Sequence, residues 1–566
     1  MRTMQYLNGF VALAALAGFA TQANAQIDER QGCEALAVTA IVADSVRLPT
    51  GGVTLTSAVY VPAAERTTAA NGEAVLELPV HCRVQGEIAP VDVQAPSILF
   101  NVNLPVDWNG KALQSGGGGL GGSLNTGPGL KASGRFDPQP YDDSYPLTNG
   151  YVTFGGDEGH QGGDVGFMSN DEALRNWAGD SLIKIRDVAV ELIEAAYGRG
   201  PDFVYFSGES AGGREAVMVT QRFPDAYDGA IAVTPVLGWT YIHIADNRMR
   251  SKLIDGWLDE DAITLIADAT RELCDADDGL LDGIVGRYME CRMDSQSLRC
   301  PDGGAGQGCL ADEQIAALDS IRDPWSISVP FAHGVNRFPG FGVTGDEDNR
   351  NNQYSFYTVG TSPPVNPLPP GRGFQPGLGA IINFGAVWVR HGIVQDESFD
   401  PHRFHPPAYA DRIQYLSGLF DATDPDLSAF RERGGKLIIV QQSADNAVST
   451  PMVAEFYRSV VAELGQPAAD DVIRLYVGPG GTHNGTGVAQ VDALGLLESW
   501  VEDGDAPPAA IPVHDVDPVT LEVRRSMLAC TYPLYTRYDG TGDINDSSNY
   551  TCAERHDPLA YRSPAR

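Results

Sequence analysis

Basic residues are scarce in this chain. Lys and Arg together number 39 against 74 Asp and Glu, and the formal net charge of the 566 residues is −35. Such an acidic body repels nucleic acid and anionic membrane, so neither is an expected partner. Solubility is the plain reading of the charge. No run of eighteen apolar residues occurs, so no membrane-spanning helix is expected. The cysteines form no C-x-x-C pair and have no His pair beside them, which argues against a zinc site. No G-K-[ST] follows a glycine-rich loop, which argues against a P-loop. Internal repeats are absent, and low complexity is confined to one glycine loop.

What is present at the N-terminus reads as an export signal. Arg2 supplies the positive region, Phe10 to Phe19 the apolar region, and Ala23-Asn24-Ala25 the small-residue cleavage site before Gln26. Residues 1–25 are therefore expected to be removed, and the protein to be secreted or periplasmic. No Cys follows the cleavage site, which argues against a lipoprotein. The eight cysteines fit an oxidising compartment. Spacing does not fix their connectivity. Their clusters make Cys33–Cys82, Cys274–Cys291, Cys300–Cys309 and Cys530–Cys552 the expected pairs.

Strand and helix signals alternate over two stretches. In the first, residues 33–110 read as short strands, followed by a strand at Tyr151 to Phe154 and an amphipathic helix from Asp180 to Tyr197. A buried strand then runs from Asp202 to Phe206, a helix from Gly213 to Phe223, and a strand from Ile231 to Val233. Residues 240 to about 410 are rich in Asp, Gly, Pro and aromatics and lose the alternation. It resumes with strands at Lys436 to Val440 and Ile473 to Val477, and helices at Met452 to Leu464 and Val491 to Val501. An α/β sheet with a large inserted lid follows from this pattern: 26–239 and 413–566 form the sheet domain and 240–412 the lid.

The chemistry centres on Gly208-Glu209-Ser210-Ala211-Gly212, a G-x-S-x-G run between a strand and a helix. Such an elbow exposes a serine hydroxyl above the sheet. A serine nucleophile needs a base and an acid that orients the base. Asp445 follows the strand at 436–440 and His483 follows the strand at 473–477, in the chain order Ser, Asp, His. Ser210, Asp445 and His483 are the expected triad; the bland alternatives are a capping Asp and a surface His. An oxyanion hole needs backbone N–H groups, expected from Ala211 and from Gly118 or Gly119 in the glycine loop 116–122. His160 and Asp157 are expected to serve structure. The run from Cys274 to Ile284 holds Asp275, Asp277, Asp278 and Asp282. It is either a calcium loop or a solvated acidic turn, and it lacks the Glu of an EF-hand.

Taken together these segments resemble the tannase and feruloyl esterase family, which includes a hydrolase of mono(2-hydroxyethyl) terephthalate. The likeness covers nearly all of the mature chain. It rests on loop 116–122, Gly159-His160, Gly208 to Arg214, Pro224 to Gly229 and Cys274 to Cys291. It continues through Gly434 to Leu437, the Asp445 and His483 loops, and Cys530 to Cys552 with Arg537-Tyr538-Asp539-Gly540. The resemblance implies an α/β-hydrolase with its lid between nucleophile and acid, and the same triad. It also implies structural Ca²⁺ held by the side chains of Asp275, Asp278 and Asp282 and the carbonyls of Leu280 and Ile284. One departure is plain. Family members place a disulfide between the residues after the catalytic His and before the nucleophile, where this chain has Asn484 and Glu209.

The function implied is a secreted serine esterase of small aromatic-acid esters, with non-aromatic esters, lactones, amides, or a non-catalytic binding role as alternatives. Glu209, Phe384, Trp388 and Arg390 are expected near the substrate.

Overall fold

In the computed structural model, residues 29–126 and 145–554 are described, apart from 71, 73, 305, 343, 349–352 and 372. The expected signal peptide lies outside the described residues. The centre is an eleven-stranded sheet. Its strands in chain order are β1 (Gly52–Val61), β2 (His81–Ala89), β3 (Ile98–Pro105), β4 (Lys111–Ser115), β5 (Val152–Gly156) and β6 (Phe203–Glu209). They continue as β7 (Gly229–Val233), β8 (Lys436–Gln442), β9 (Ile473–Gly478), β10 (Ala510–Val516) and β11 (Val523–Thr531). The spatial order is β1-β2-β3-β5-β4-β6-β7-β8-β9-β11-β10. The six strands from β5 to β9 are parallel, and antiparallel strands flank them on both sides.

Parallel strands need cover on both faces, and the sequence supplies it. In β8 every residue is buried. Leu437 and Ile439 enter the core on one face, while Ile438 and Val440 enter a second core on the other. The period-two alternation of a strand thus feeds two apolar layers at once. Burying each such side chain stabilises the fold by about 1.5–3 kcal/mol. Helix α1 (Ser181–Tyr197) packs its Ile183, Val188 and Leu192 into the first layer. Leu494, Leu497 and Trp500 of the C-terminal helical turns fill the second.

Between β7 and β8 no described strand joins the main sheet. The block is more helical than its composition suggested, with helices at Trp239–Leu253, Glu260–Cys274, Asp312–Arg322, Ala380–Val387 and Ala410–Phe420. Short helices broken by Gly and Pro carry too little periodicity to be read in isolation. Strands β10 and β11, an antiparallel edge pair, also escaped the sequence reading. The four disulfides join Cys33–Cys82, Cys274–Cys291, Cys300–Cys309 and Cys530–Cys552, with Cα separations of 5.5, 5.8, 4.9 and 5.7 Å. These separations suit unforced bridges, and four bridges fit an oxidising compartment. No described helix is long and apolar enough to cross a membrane.

Candidate active site

Strand β6 ends at Glu209, and α2 (Ala211–Arg222) begins one residue later. Ser210 between them has φ 59° and ψ −116°, a conformation that costs a non-glycine residue free energy and persists only when its surroundings enforce it. The enforcing contacts are visible. Ser210 N–H donates to Val233 O at 2.9 Å, and Val236 N–H donates to Ser210 O at 3.1 Å. A Cβ at Gly208 would lie 2.3 Å from Gly212 O, and one at Gly212 would lie 2.5 Å from Gly117 O. Strand, helix and glycine loop touch backbone to backbone, so both flanking positions must be Gly.

The loops after β8 and β9 bring the other two groups to this serine. His483 Nε2 lies 3.1 Å from Ser210 Oγ, and its Nδ1 lies 2.9 Å from Asp445 Oδ2. Asp445 Oδ1 accepts from the N–H groups of Ala447 and Val448, each at 2.8 Å. The carboxylate is therefore fixed at both oxygens. The two loops are also bound together: Ala444 N–H donates to Gly481 O, and Gly480 N–H donates to Ser443 Oγ at 2.8 Å. Asp445 and His483 are buried, while Ser210 is half-buried at the floor of a cavity of about 580 Å³.

Gly118, Gly119 and Ala211 face the same cavity. Gly116 N–H is engaged by Ser207 O and Gly117 N–H by Glu215 Oε2. Both of these N–H groups are thus engaged within the protein, while Gly118 and Gly119 line the cavity. Ala211 is the first residue of α2, where a backbone N–H has no partner within the helix. His160 and Asp157 support the loop from behind. His160 Nε2 bonds Leu120 O at 2.7 Å, and Asp157 Oδ1 accepts from Leu99 and Gly159 N–H.

A sequence profile described as tannase and feruloyl esterase matches residues 82–553. The chain belongs to the tannase and feruloyl esterase family. An esterase of Agrobacterium fabrum, described as uncharacterized, is 33% identical over 92% of this chain and 93% of its own. The mono(2-hydroxyethyl) terephthalate hydrolase of Piscinibacter sakaiensis is 28% identical over 87% and 88% of the two chains. The crystal structure of feruloyl esterase B from Aspergillus oryzae superposes with a TM-score of 0.72 at 21% identity, over 92% of this chain and 100% of that one. The fold is that of an α/β-hydrolase.

Within this family fold the lid supplies part of the cavity wall. Phe356, Tyr357, Phe374 and Phe384 line it from the lid, and Trp239 lines it from the start of the helix Trp239–Leu253. Glu209 and Asn484, which stand at the two positions of the absent disulfide, also line it. The lid grips the neighbouring loops instead. Tyr357 Oη donates to Asn484 Oδ1, and Thr358 Oγ1 donates to Asn446 O at 2.9 Å. Tyr357 also meets the His483 ring edge-on, with centroids 5.0 Å apart. Two adjacent lid residues thus hold the residue after Asp445 and the residue after His483.

Of the expected pocket residues, Phe384 is in the wall, but Trp388 and Arg390 are not. Trp388 is buried among Trp177, Trp239 and Phe420. The Arg390 guanidinium donates to the carbonyls of Leu368, Pro369 and Phe399 and so staples the lid internally. Both residues lie buried on the π-helical stretch Trp388–Val394. Sequence reasoning missed His243, which lines the cavity, stacks on Phe384 at 5.5 Å, and binds Asp246 Oδ2 through Nδ1 at 2.8 Å. Burial, and then Arg214, push the His243 ring down to about 3, so it is neutral at physiological pH. Tyr357, Phe374 and His243 carried no local signal, since none belongs to a motif.

No residue of the acidic loop is among those lining this cavity. Asp275 accepts from the N–H groups of Asp282 and Gly283, and Asp278 from those of Leu280 and Gly286. Asp282 accepts from Ile284 N–H and from the guanidinium of Arg525. Among the described residues no three His, Cys, Asp or Glu side chains gather closely enough to hold a metal by themselves. All donors in the loop are hard oxygens of the kind Ca²⁺ takes, and each carboxylate oxygen engaged here keeps a second lone pair.

Proposed function

We propose that this chain is an exported serine carboxylic-ester hydrolase acting on small aromatic-acid esters. The observation that carries the reading is the hydrogen-bonded series Ser210–His483–Asp445 at the floor of an aromatic cavity, facing Gly118, Gly119 and Ala211. With the imidazole proton on Nδ1, Nε2 accepts the Ser210 proton as Oγ attacks the ester carbonyl. The N–H groups of Ala211 and of Gly118 or Gly119 receive the developing oxyanion. His483 then returns the proton to the departing alcohol, leaving an acyl-serine. Water, deprotonated by His483, hydrolyses the acyl-serine and frees the acid.

Substrate class follows from the walls. Phe374, Phe384, Trp239 and Tyr357 offer flat apolar faces and edges suited to an aryl acyl group. A cavity of about 580 Å³ suits one ring with a short ester arm rather than a long lipid. His243 gives this wall a neutral polar group. A panel of matched aryl and alkyl esters, including hydroxycinnamates and gallates, tests the reading. Aryl esters should exceed alkyl esters in kcat/KM by at least about 10-fold, the order that a few apolar contacts supply. Equal values, or a preference for amides or lactones, would replace the aromatic-ester assignment.

We further propose that loop 275–284 binds structural Ca²⁺ through Asp275, Asp278 and Asp282 with the carbonyls of Leu280 and Ile284. Support comes from the all-oxygen donor set and from the Cys274–Cys291 bridge that pins the loop. Ca²⁺ would supply charge balance and rigidity here, not chemistry. Chelation should remove about one ion per chain. It should also lower stability by about 3–4 kcal/mol relative to calcium at 100–1,000 times its Kd. If dialysed protein contains no metal and chelator leaves the melting temperature unchanged, Arg525 alone balances the loop.

A further inference from the structure

Behind the glycine loop lies a buried ionisable cluster that the triad chemistry does not use. Glu158 and Glu215 are 3% and 0% exposed, and Arg214 is 1% exposed. The Arg214 guanidinium lies 3.5 Å from Glu215 Oε1, and it also faces Glu158 and Asp421. Asp157 adjoins Glu158, with its own oxygens occupied by Leu99 and Gly159 N–H and by Gln161. Arg222 also faces Asp421, which leaves the Arg214 guanidinium against two buried glutamates; it cannot neutralise both, and an uncompensated buried charge is costly. At least one carboxyl therefore keeps its proton. Burial, with Glu215 beside it, pushes Glu158 well above the ordinary carboxylate range.

The position of this carboxyl is specific. A Cβ built on Gly117 would lie 1.5 Å from Glu158 Oε1, and one on Gly121 would lie 2.6 Å from Glu158 Oε2. The Glu158 carboxyl is thus inserted between Gly117 and Gly121, under the turn closed by Gly121 N–H to Gly118 O. Glu215 reaches the residue that leads into this turn, accepting from Gly117 N–H at 2.9 Å. Glu158 itself sits at φ 65°, a left-handed conformation unusual for Glu, which aims the side chain under the loop. Gly118 and Gly119, the cavity-facing residues, form the turn resting on this support.

We propose that Glu158 is held as a neutral carboxylic acid hydrogen-bonded to Glu215, and that the pair sets the direction of the Gly118 and Gly119 N–H groups. Both glutamates are positioning residues; neither touches the substrate. The inference rests on the serine-esterase reading above. Removing the support should weaken oxyanion stabilisation, which acts in the transition state and leaves ground-state binding almost unchanged.

The test compares E158A and E158Q with wild type on one aryl ester, with S210A as control. E158A should lower kcat by about 10–100-fold, short of the about 10²–10³ expected for deleting an oxyanion donor, with KM within about 3-fold. E158Q, a neutral isostere able to donate to Glu215, should recover kcat to within about 3-fold of wild type. Full kcat in E158A, a change confined to KM, or E158Q as impaired as E158A overturns the proposal. If E158A does not fold, the infrared difference spectrum of wild type minus E158Q at pH 7 decides. Loss of a protonated-carboxyl carbonyl band supports the pair, and loss of ionised-carboxylate bands alone overturns it. An active S210A would instead remove the serine-esterase reading itself, whatever Glu158 does.

Discussion

Ser210→Ala is expected to lower kcat by about 10⁶-fold while leaving the fold intact. The figure corresponds to about 8 kcal/mol of transition-state stabilisation. It is large because the three side chains act as a unit: without Oγ, neither the base nor the acid has a reaction to assist. Alanine adds no bulk at a position whose backbone is already fixed by Val233 and Val236. The melting temperature should therefore stay within a few degrees of wild type, and KM should change little. A serine-reactive fluorophosphonate should label wild type at Ser210 and leave S210A unlabelled. Residual activity above about 1% of wild type in a homogeneous S210A preparation would sink the covalent mechanism. No adduct on wild type would favour a binding role on the same scaffold.

The elbow and the triad were legible because each part obeys a local rule. Gly208 and Gly212 are demanded because a Cβ there would lie 2.3 and 2.5 Å from a backbone oxygen, and a strand followed by a helix frames them in sequence. Asp445 and His483 each follow an apolar run that becomes a buried parallel strand, so the sheet itself delivers them to one end. The lid was not legible in the same way. Its cavity-lining aromatics sit on a π-helical segment (Phe356, Tyr357), a loop (Phe374) and a short helix (Phe384), whose relative placement depends on tertiary contacts. Trp388 and Arg390 show the consequence. They lie within six residues of Phe384, yet local helical geometry buries one and ties the other to lid carbonyls. Glu158 illustrates a different limit. In sequence it is one acid among 74, and only the fold shows it inserted under the glycine turn.

The grip of the lid on the catalytic loops also bears on the missing disulfide. A disulfide between Glu209 and Asn484 positions would tie the nucleophile loop to the histidine loop covalently. Here Tyr357 and Thr358 tie the histidine and acid loops to the lid by hydrogen bonds. Such bonds contribute about 0.5–1.5 kcal/mol each, so the histidine loop is coupled to lid position rather than locked. The histidine loop is thus held from two sides, by the acid loop and by the lid.

Asp445→Asn is expected to lower kcat by about 10⁴-fold, or about 5 kcal/mol, without disturbing the position of His483. The reason lies in which atom each oxygen of Asp445 serves. Oδ1 accepts two backbone N–H groups, from Ala447 and Val448, and cannot be replaced there by an amide nitrogen without setting donor against donor. The Asn carbonyl must therefore occupy that site, which turns its NH₂ toward His483 Nδ1. The ring then accepts at Nδ1 and carries its proton on Nε2, facing Ser210. In that tautomer Nε2 has no lone pair to receive the serine proton, and the base is disabled although every heavy atom is in place. A structure of D445N should show His483 within about 0.5 Å of its wild-type position, the tolerance of a working site, and kcat should fall with KM nearly constant. Retention of more than a tenth of wild-type kcat would mean that the Asp445–His483 contact of 2.9 Å orients the ring without setting its tautomer.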